Sequence, residues 1–264
     1  MKIKISTLVI AMYAFLIAII LFYPTAQLAI VAFTDDINFP PSRFNLKAFR
    51  EILWPFWISL RFSVALGLVV TISNILMCLP LAYAMERYNF KGKHSLELFM
   101  FMPFIFPGIS YMSGMFIFYL MYLPELMDTF IGITIPTILF NTIFLLRSIR
   151  ASLALVDPVY EEAAMCMGAS RLKTFFKVDL PLLAPGLISG SMIVFANSST
   201  AFIAPQVLGR KIISTATRKV FTDMGEYGLL PFIAVEALII EVLVMGVILL
   251  IYFALRRHFR GFMI

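Results

Sequence analysis

The stretch DPVYEEAAMCMGASRLKTFFKVDLP, Asp157–Pro181, sets four acidic and three basic side chains into a chain that is 61% hydrophobic. It reads as two short helices around a glycine turn. Asp157 is the N-cap candidate, and Pro158 opens the first helix, where its missing N–H costs nothing. Glu161 and Glu162 fall in the opening turns and suit the positive end of the helix dipole. Gly168 stands where the helix stops, because glycine enters the left-handed conformation at little cost. Ser170 then caps a second helix, RLKTFFKVDL, that runs to Pro181. A flexible connector needs no such order and is normally rich in glycine and serine. A short helix with small residues on one side, here Ala163 and Ala164, suits docking into a groove on a partner.

The rest of the chain explains why this stretch stands out. Over 264 residues only 14% are charged, and the mean hydropathy is +0.95. A soluble domain is about 25% charged, and surface-to-volume scaling limits the apolar core that it can bury. The excess apolar surface therefore faces a bilayer. A membrane helix needs about 20 apolar residues, and six runs qualify: 8–33, 56–85, 98–123, 131–155, 182–204 and 230–255. Pro80, Pro103, Pro107 and Pro136 fall in the second to fourth runs, which are expected to be kinked. The first run is longer than the apolar stretch of a cleavable signal, about 7–15 residues, and is expected to remain as a span. The expected fold is all-α, a single transmembrane domain over 1–264 with 157–181 as a loop within it.

The positive-inside rule gives the orientation. With the N-terminus in the cytoplasm, Lys2, Lys4, Arg87, Lys91, Lys93, Arg147, Arg150, Arg171, Lys173, Lys177, Arg256, Arg257 and Arg260 fall inside. Arg43, Lys47, Arg50, Arg61, Arg210, Lys211, Arg218 and Lys219 fall outside, and the outer segment Arg210–Lys219 weakens the bias. The reading is N-in, C-in, with 157–181 in the cytoplasm between the fourth and fifth spans. The same bias accounts for the net charge of +6 without a nucleic-acid partner. Cys78 and Cys166 are too few for a disulfide framework and lack zinc spacing, so both read as small apolar residues.

Polar residues inside spans are the other candidates. FANSSTAF, 195–202, sets Asn197, Ser198, Ser199 and Thr200 in a row in the outer half of the fifth span. Some of the four must face protein or water, and a solute path and helix packing both stay open. In the last span, a charge costs about 2.5–3.5 kcal/mol and therefore faces a partner or an aqueous path. Glu236, near the edge, reads as structural; Glu241 is open between a path carboxylate and an interhelical acid. Gly186 and Gly190 form a small-residue packing face. Asn74, Thr137 and Asn141 read as interhelical hydrogen-bonding residues. His94 and His258 have no ligand partners at useful spacing, and nothing supports intramembrane catalysis.

Glu162-Ala163-Ala164, then Gly168, then Val178-Asp179-Leu180-Pro181 resemble the EAA motif of the permease subunits of binding-protein-dependent ABC importers. Val178 departs from it, standing where the motif has isoleucine. Span count, loop order and size extend the resemblance over the whole chain. It implies a type I ABC importer permease fold of six transmembrane helices in the bacterial cytoplasmic (inner) membrane. It also implies that 157–181 is a coupling loop seated in a cleft of a cytoplasmic ATPase. Glu161, Glu162, Ala163, Ala164, Gly168 and Arg171 are then the ATPase-coupling residues. The implied partners are an ABC ATPase dimer, a second permease subunit (homologous or identical) and an extracytoplasmic solute-binding protein.

No cofactor is expected on the chain itself. The KGK at Lys91–Lys93 lacks the glycine and the Ser/Thr that a P-loop requires, so ATP and Mg²⁺ belong to the partner ATPase and the chain is not an enzyme. The solute is expected to be small and polar or charged. The long first outer loop and PQVLGRK after the fifth span resemble permeases for polyamines, phosphonates and ferric iron. Glu241 suits a polyamine, whereas the basic Arg210–Lys219 suits a phosphonate. The alternative is a self-sufficient channel or secondary transporter gated at Glu241. A channel has no use for a capped docking helix, and secondary transporters often carry inverted repeats with interrupted helices in both halves.

Overall fold

The computed structural model describes residues 5–34, 43–209, 214–228 and 230–258. Lys2, Lys4, Arg210, Lys211 and Arg260, which entered the orientation argument, lie outside the described residues, as do the Arg256 and Arg257 side chains. Apart from one isolated bridge between Thr34 and Phe44, the regular structure among the described residues is helical. The helices are α1 (Ile5–Ala32), α2 (Lys47–Arg87), α3 (Lys93–Ile105), α4 (Gly108–Tyr122) and α5 (Phe130–Ala154), followed by α6 (Val159–Cys166), α7 (Arg171–Thr174) and α8 (Leu180–Leu182). Then come α9 (Ala184–Ser199), α10 (Ile203–Leu208), α11 (Ala216–Tyr227) and α12 (Pro231–His258).

Among the described residues, five segments are long and apolar enough to cross a membrane: Ile10–Ala32, Lys47–Arg87, Phe130–Ala154, Ala184–Leu208 and Pro231–Ala254. The remaining expected span, 98–123, is not one kinked helix. It is α3 and α4, bent by 100°. The break has a local cause. Proline clashes with helical geometry in the residue before it, and Phe106 accordingly sits at φ −75°, ψ 143° ahead of Pro107. Helix continues through Pro80, Pro103 and Pro136. The second span begins at Lys47, earlier than the apolar run suggested. Its 41 residues, at about 1.5 Å each, outrun a hydrocarbon layer of about 30 Å.

The chain forms two compact units, Met1–Ile58 with Lys219–Val242, and Ser59–Arg218 with Leu243–Ile264. The first has a small core of Ala32, Ala234 and Val235, flanked by Leu28, Phe49 and Ile52. Apolar side chains of α1 such as Phe15 and Phe22 are exposed, as expected of a helix whose solvent is lipid. The second unit is built on α2, α4, α5 and α9, with Leu66, Val70, Met85, Tyr119, Leu146, Ile149 and Val194 in its core. Cys78 belongs to that core as a small apolar residue. Cys166 does not: it is exposed at the end of α6, contrary to the sequence reading.

The α5–α9 contact is close-packed. A side chain at Gly186 would collide with the Ser148 carbonyl and the Ser152 side chain, and one at Gly190 would lie 2.6 Å from Leu145 Cδ1. Ser148 Oγ donates to the Gly186 carbonyl at 2.8 Å across the same contact. The small-residue face read from the sequence is thus the face against α5. Forcing in one extra methyl group typically costs about 1–3 kcal/mol when the backbone must move. Gly186→Ala should therefore lower the thermal unfolding midpoint of the purified protein. Gly246→Ala, with nothing within 4 Å of the added carbon, should leave it unchanged or raise it slightly.

Candidate functional site

The EAA segment folds as its local sequence dictates. Asp157 Oδ1 accepts the Val159 N–H at 3.0 Å and satisfies one of the free donors at the start of α6. At the other end Gly168 takes φ +85°. Ala169 N–H then donates to the Ala164 carbonyl at 3.1 Å and Gly168 N–H to that of Met165 at 2.9 Å. This paired closure is the Schellman arrangement, and it needs a left-handed residue. Ser170 Oγ caps α7 by accepting from Lys173 N–H at 3.3 Å. The second helix is less regular than expected: α7 passes into a π turn, Phe175–Asp179, and then α8.

One face of this element is anchored on the chain. Glu161 is buried, paired with Arg87 Nε at 2.6 Å and accepting from Tyr83 Oη at 3.0 Å. Arg87 Nη2 also donates to the Val156 carbonyl at 3.0 Å, so the last turn of α2 grips both ends of the 156–161 segment. The Tyr83 ring packs edge-on against Phe175 at 5.3 Å. Asp179 is fully buried, and neither of its oxygens has a hydrogen-bond donor. Burial first, and the neighbouring Glu161 charge second, push its carboxyl up to about 7, with Arg87 pulling the other way. A neutral Asp179 can donate to Glu161, which reconciles its missing donors with its closeness to a second acid.

The opposite face is open. Glu162, Ala163, Gly168 and Arg171 are exposed, together with Met167 and Leu172. A depression of about 300 Å³ lies beside it, lined by Tyr83, Glu86, Arg87, Glu161, Glu162 and Arg171 among others. The expected coupling set therefore divides. Glu161 and Ala164, three apart and on one side of α6, are buried against the chain, whereas Glu162, Ala163, Gly168 and Arg171 are exposed. The sequence reading missed Tyr83, the anchoring role of Arg87 and the burial of Asp179. An acid placed just before Leu180-Pro181, at the entry to a span, was the available signal.

The polar row of the fifth span also divides. Ser198 and Ser199 are fully buried, and Ser199 Oγ donates to the Phe195 carbonyl at 2.7 Å, so these two pack inside the unit. Asn197 and Thr200 line a cleft of about 410 Å³ with Gly108, Met112, Thr137 and Asn141. Helix breaks off at this point, between α9 and α10. Non-helical backbone within a span is tolerated where protein or an aqueous cavity satisfies it. Asn74 makes the expected interhelical bond, to the Ile138 carbonyl at 3.3 Å. Thr137 and Asn141 do not: they bond to carbonyls of their own helix, at 2.7 and 2.9 Å. That leaves the buried Asn141 Oδ1 without a partner. On α12, Glu236 is fully buried near Asp223 and Lys219, as a structural acid should be, whereas Glu241 is exposed.

Residues 78–263 match the family described as binding-protein-dependent transport system inner membrane component. The chain belongs to that family of ABC transporter permeases. The permease is 33% identical to the sulfate transport system permease protein CysT of Salmonella typhimurium over 144 residues, 51% of this chain and 52% of that protein. It is 24% identical to the spermidine/putrescine transport system permease protein PotB of Escherichia coli K12 over 242 residues, 84% of this chain and 86% of that one. Its fold matches a chain of a bacterial ABC transporter involved in the import of the acidic polysaccharide alginate, with a TM-score of 0.68, 19% identity and 97% of both chains covered. The permease is accordingly a multi-pass inner-membrane protein and the non-catalytic component of its transporter, with ATP bound by a separate ATPase subunit. Family membership sets aside the self-sufficient channel.

Asp179 gives this element a pH dependence. Its folded carboxyl is raised from 3.8 to about 7, so the fold favours the neutral form. As pH climbs from about 4 towards 7 the unfolded chain ionises first, and stability falls, levelling off above about 7. Thermal unfolding of the purified permease between about pH 5 and 8 should show this decline. Asp179→Asn should flatten it; an unaltered slope would place its origin elsewhere.

Proposed function

We propose that this chain is one transmembrane subunit of an ATP-driven solute importer, acting as a single permease domain with both termini in the cytoplasm. It pairs with a second permease subunit, homologous or identical, and works with an ABC ATPase dimer and an extracytoplasmic solute-binding protein. The exposed face of α6 and its turn, Glu162, Ala163, Gly168 and Arg171, docks on the ATPase. The observation that carries this reading is the two-sidedness of the EAA segment, one face buried on the permease by Arg87 and Tyr83, the other open. The cleft at the exposed Asn197 and Thr200 forms part of the solute path. Glu241, exposed within a span, needs a polar partner from another subunit or from the path itself.

The solute is small and polar or charged. The polyamine class has the broadest support, because the spermidine/putrescine relative aligns over 84% of this chain and the sulfate relative over 51%. The relatives described above do not bear on phosphonate or ferric iron.

Cysteine cross-linking tests the docking face. In a Cys166→Ser background, Ala163→Cys should cross-link to the ATPase and the buried Ala164→Cys should not; equal yields would sink the two-sided reading. Gly168→Val should reduce uptake about tenfold with the chain still inserted, since forcing an L-residue left-handed costs about 1–2 kcal/mol. Gly168→Asn should keep most of the activity, because asparagine tolerates that conformation.

A further inference from the structure

Glu86 and Arg87 are adjacent in the last turn of α2 and opposite in charge, and they reach different elements. Arg87 holds Glu161 of α6 at 2.6 Å and the Val156 carbonyl, just before α6, at 3.0 Å. Glu86 takes the Arg150 guanidinium of α5 at 2.5 Å, and Arg150 reaches Glu97 of α3 at 2.7 Å. Four helices, α2, α3, α5 and α6, therefore meet at two neighbouring side chains. Tyr83, one turn earlier on α2, takes the second oxygen of Glu161 at 3.0 Å.

Stability is a weak account of this arrangement. The Arg87–Glu161 side chains are only 14% and 11% exposed, and in such surroundings desolvation offsets much of the attraction. What the arrangement supplies is fixed geometry. The planar guanidinium donates to two acceptors on either side of Pro158, and such a fork loses little freedom in doing so. α6 is therefore held to α2 at two points and cannot slide over it as an apolar contact would allow.

We infer that Arg87, with Glu161 and the adjoining Glu86–Arg150–Glu97 bridge, is the joint that carries displacement of the EAA segment into α2 and α3. Arg87 is a positioning residue: it touches neither nucleotide nor solute. The inference rests on docking of the exposed α6 face against the ATPase. Without Arg87, α6 stays tied to α5 and α9 through the backbone, but α2 keeps only the single Tyr83 hydrogen bond to Glu161 and loses its charged, two-point hold. The ATPase can then still engage, while the cleft no longer follows.

The test uses the whole importer in liposomes and needs no solute. In a Cys166→Ser background, the rate at which a maleimide labels Thr200→Cys in the cleft is measured with and without ATP. Arg87→Ala should shrink the ATP-dependent change about fivefold or more, while a parallel Ala163→Cys protein keeps its cross-link to the ATPase. Glu161→Gln, which preserves size and removes the charge, should act in the same direction. Arg87→Glu combined with Glu161→Arg should recover more of the change than either alone. Full ATP dependence in both Arg87→Ala and Glu161→Gln would overturn the inference, as would a swap no better than its singles. Loss of the Ala163→Cys cross-link with the joint intact would instead remove the docking reading on which it stands.

Discussion

The close approach of α5 and α9 is the constraint from which the second unit is built. It exists because position 186 has no side chain, which lets the Ser148 carbonyl and Ser152 come against the α9 backbone. In lipid there is no hydrophobic drive between helices, so packing of this kind and hydrogen bonds such as Ser148 to Gly186 must hold them. The same two helices carry both proposed functional regions. At one end they are joined by the EAA segment; at the other they present Thr137, Asn141, Asn197 and Thr200 to the cleft. From Gly186 to Asn197 the helix rises about 16 Å. On the proposed coupling, a pair locked by backbone contact suits transmission of a push along that length, because close-packed interiors do not deform continuously.

The EAA segment needs a second attachment for a different reason. A helix of 8 residues is too short to be stable alone. Its exposed face contributes nothing to the chain's own packing, so its order must come from the caps at Asp157 and Gly168 and from the inner face. That inner face is polar, with Glu161 and Asp179 against one arginine. Two buried carboxylates and one guanidinium leave a negative charge over, and a proton on Asp179 is the least costly way to remove it. The element is thus placed by geometry that hydrogen bonds define, rather than by apolar area that could be satisfied in several registers.

Much of this was legible in the sequence because it is local. A left-handed turn needs a glycine, so Gly168 marks it; a helix start needs an acceptor, so Asp157 and Ser170 mark it. Gly186 and Gly190 at helical spacing mark a packing face. What could not be read was orientation about a helix axis. Glu161 and Glu162 are equivalent by composition, yet one faces α2 and the other faces out, which only the position of Arg87 decides. The run from Asn197 to Thr200 splits for the same reason, since a helix turns consecutive residues to different sides. The proline effects were ambiguous as well. Pro103 and Pro107 carry the same local penalty, but helix continues through the first and breaks at the second, where Gly108 allows a new start.

The lining of the cleft bears on where selectivity arises. None of its side chains is charged. The hydroxyl proton of the exposed Thr200 is committed to a carbonyl of its own helix, so this side chain offers lone pairs, whereas Thr137 and Asn141 Oδ1 are buried. Gly108, at the start of α4, brings the opposite polarity, because the first N–H groups of a helix lack internal partners. A solute of either sign finds some hydrogen bonds here and no full counter-charge. On the proposed reading this suits a passage: conduction requires binding favourable enough to enter and weak enough to leave. A carboxylate or guanidinium in the same place would hold one class of ion and slow its release. A neutral passage is also compatible with relatives named for solutes as different as sulfate and spermidine sharing this family. On the proposed reading, discrimination by charge then falls to groups outside the cleft, the solute-binding protein foremost, and the permease contributes a path whose opening is timed by the ATPase.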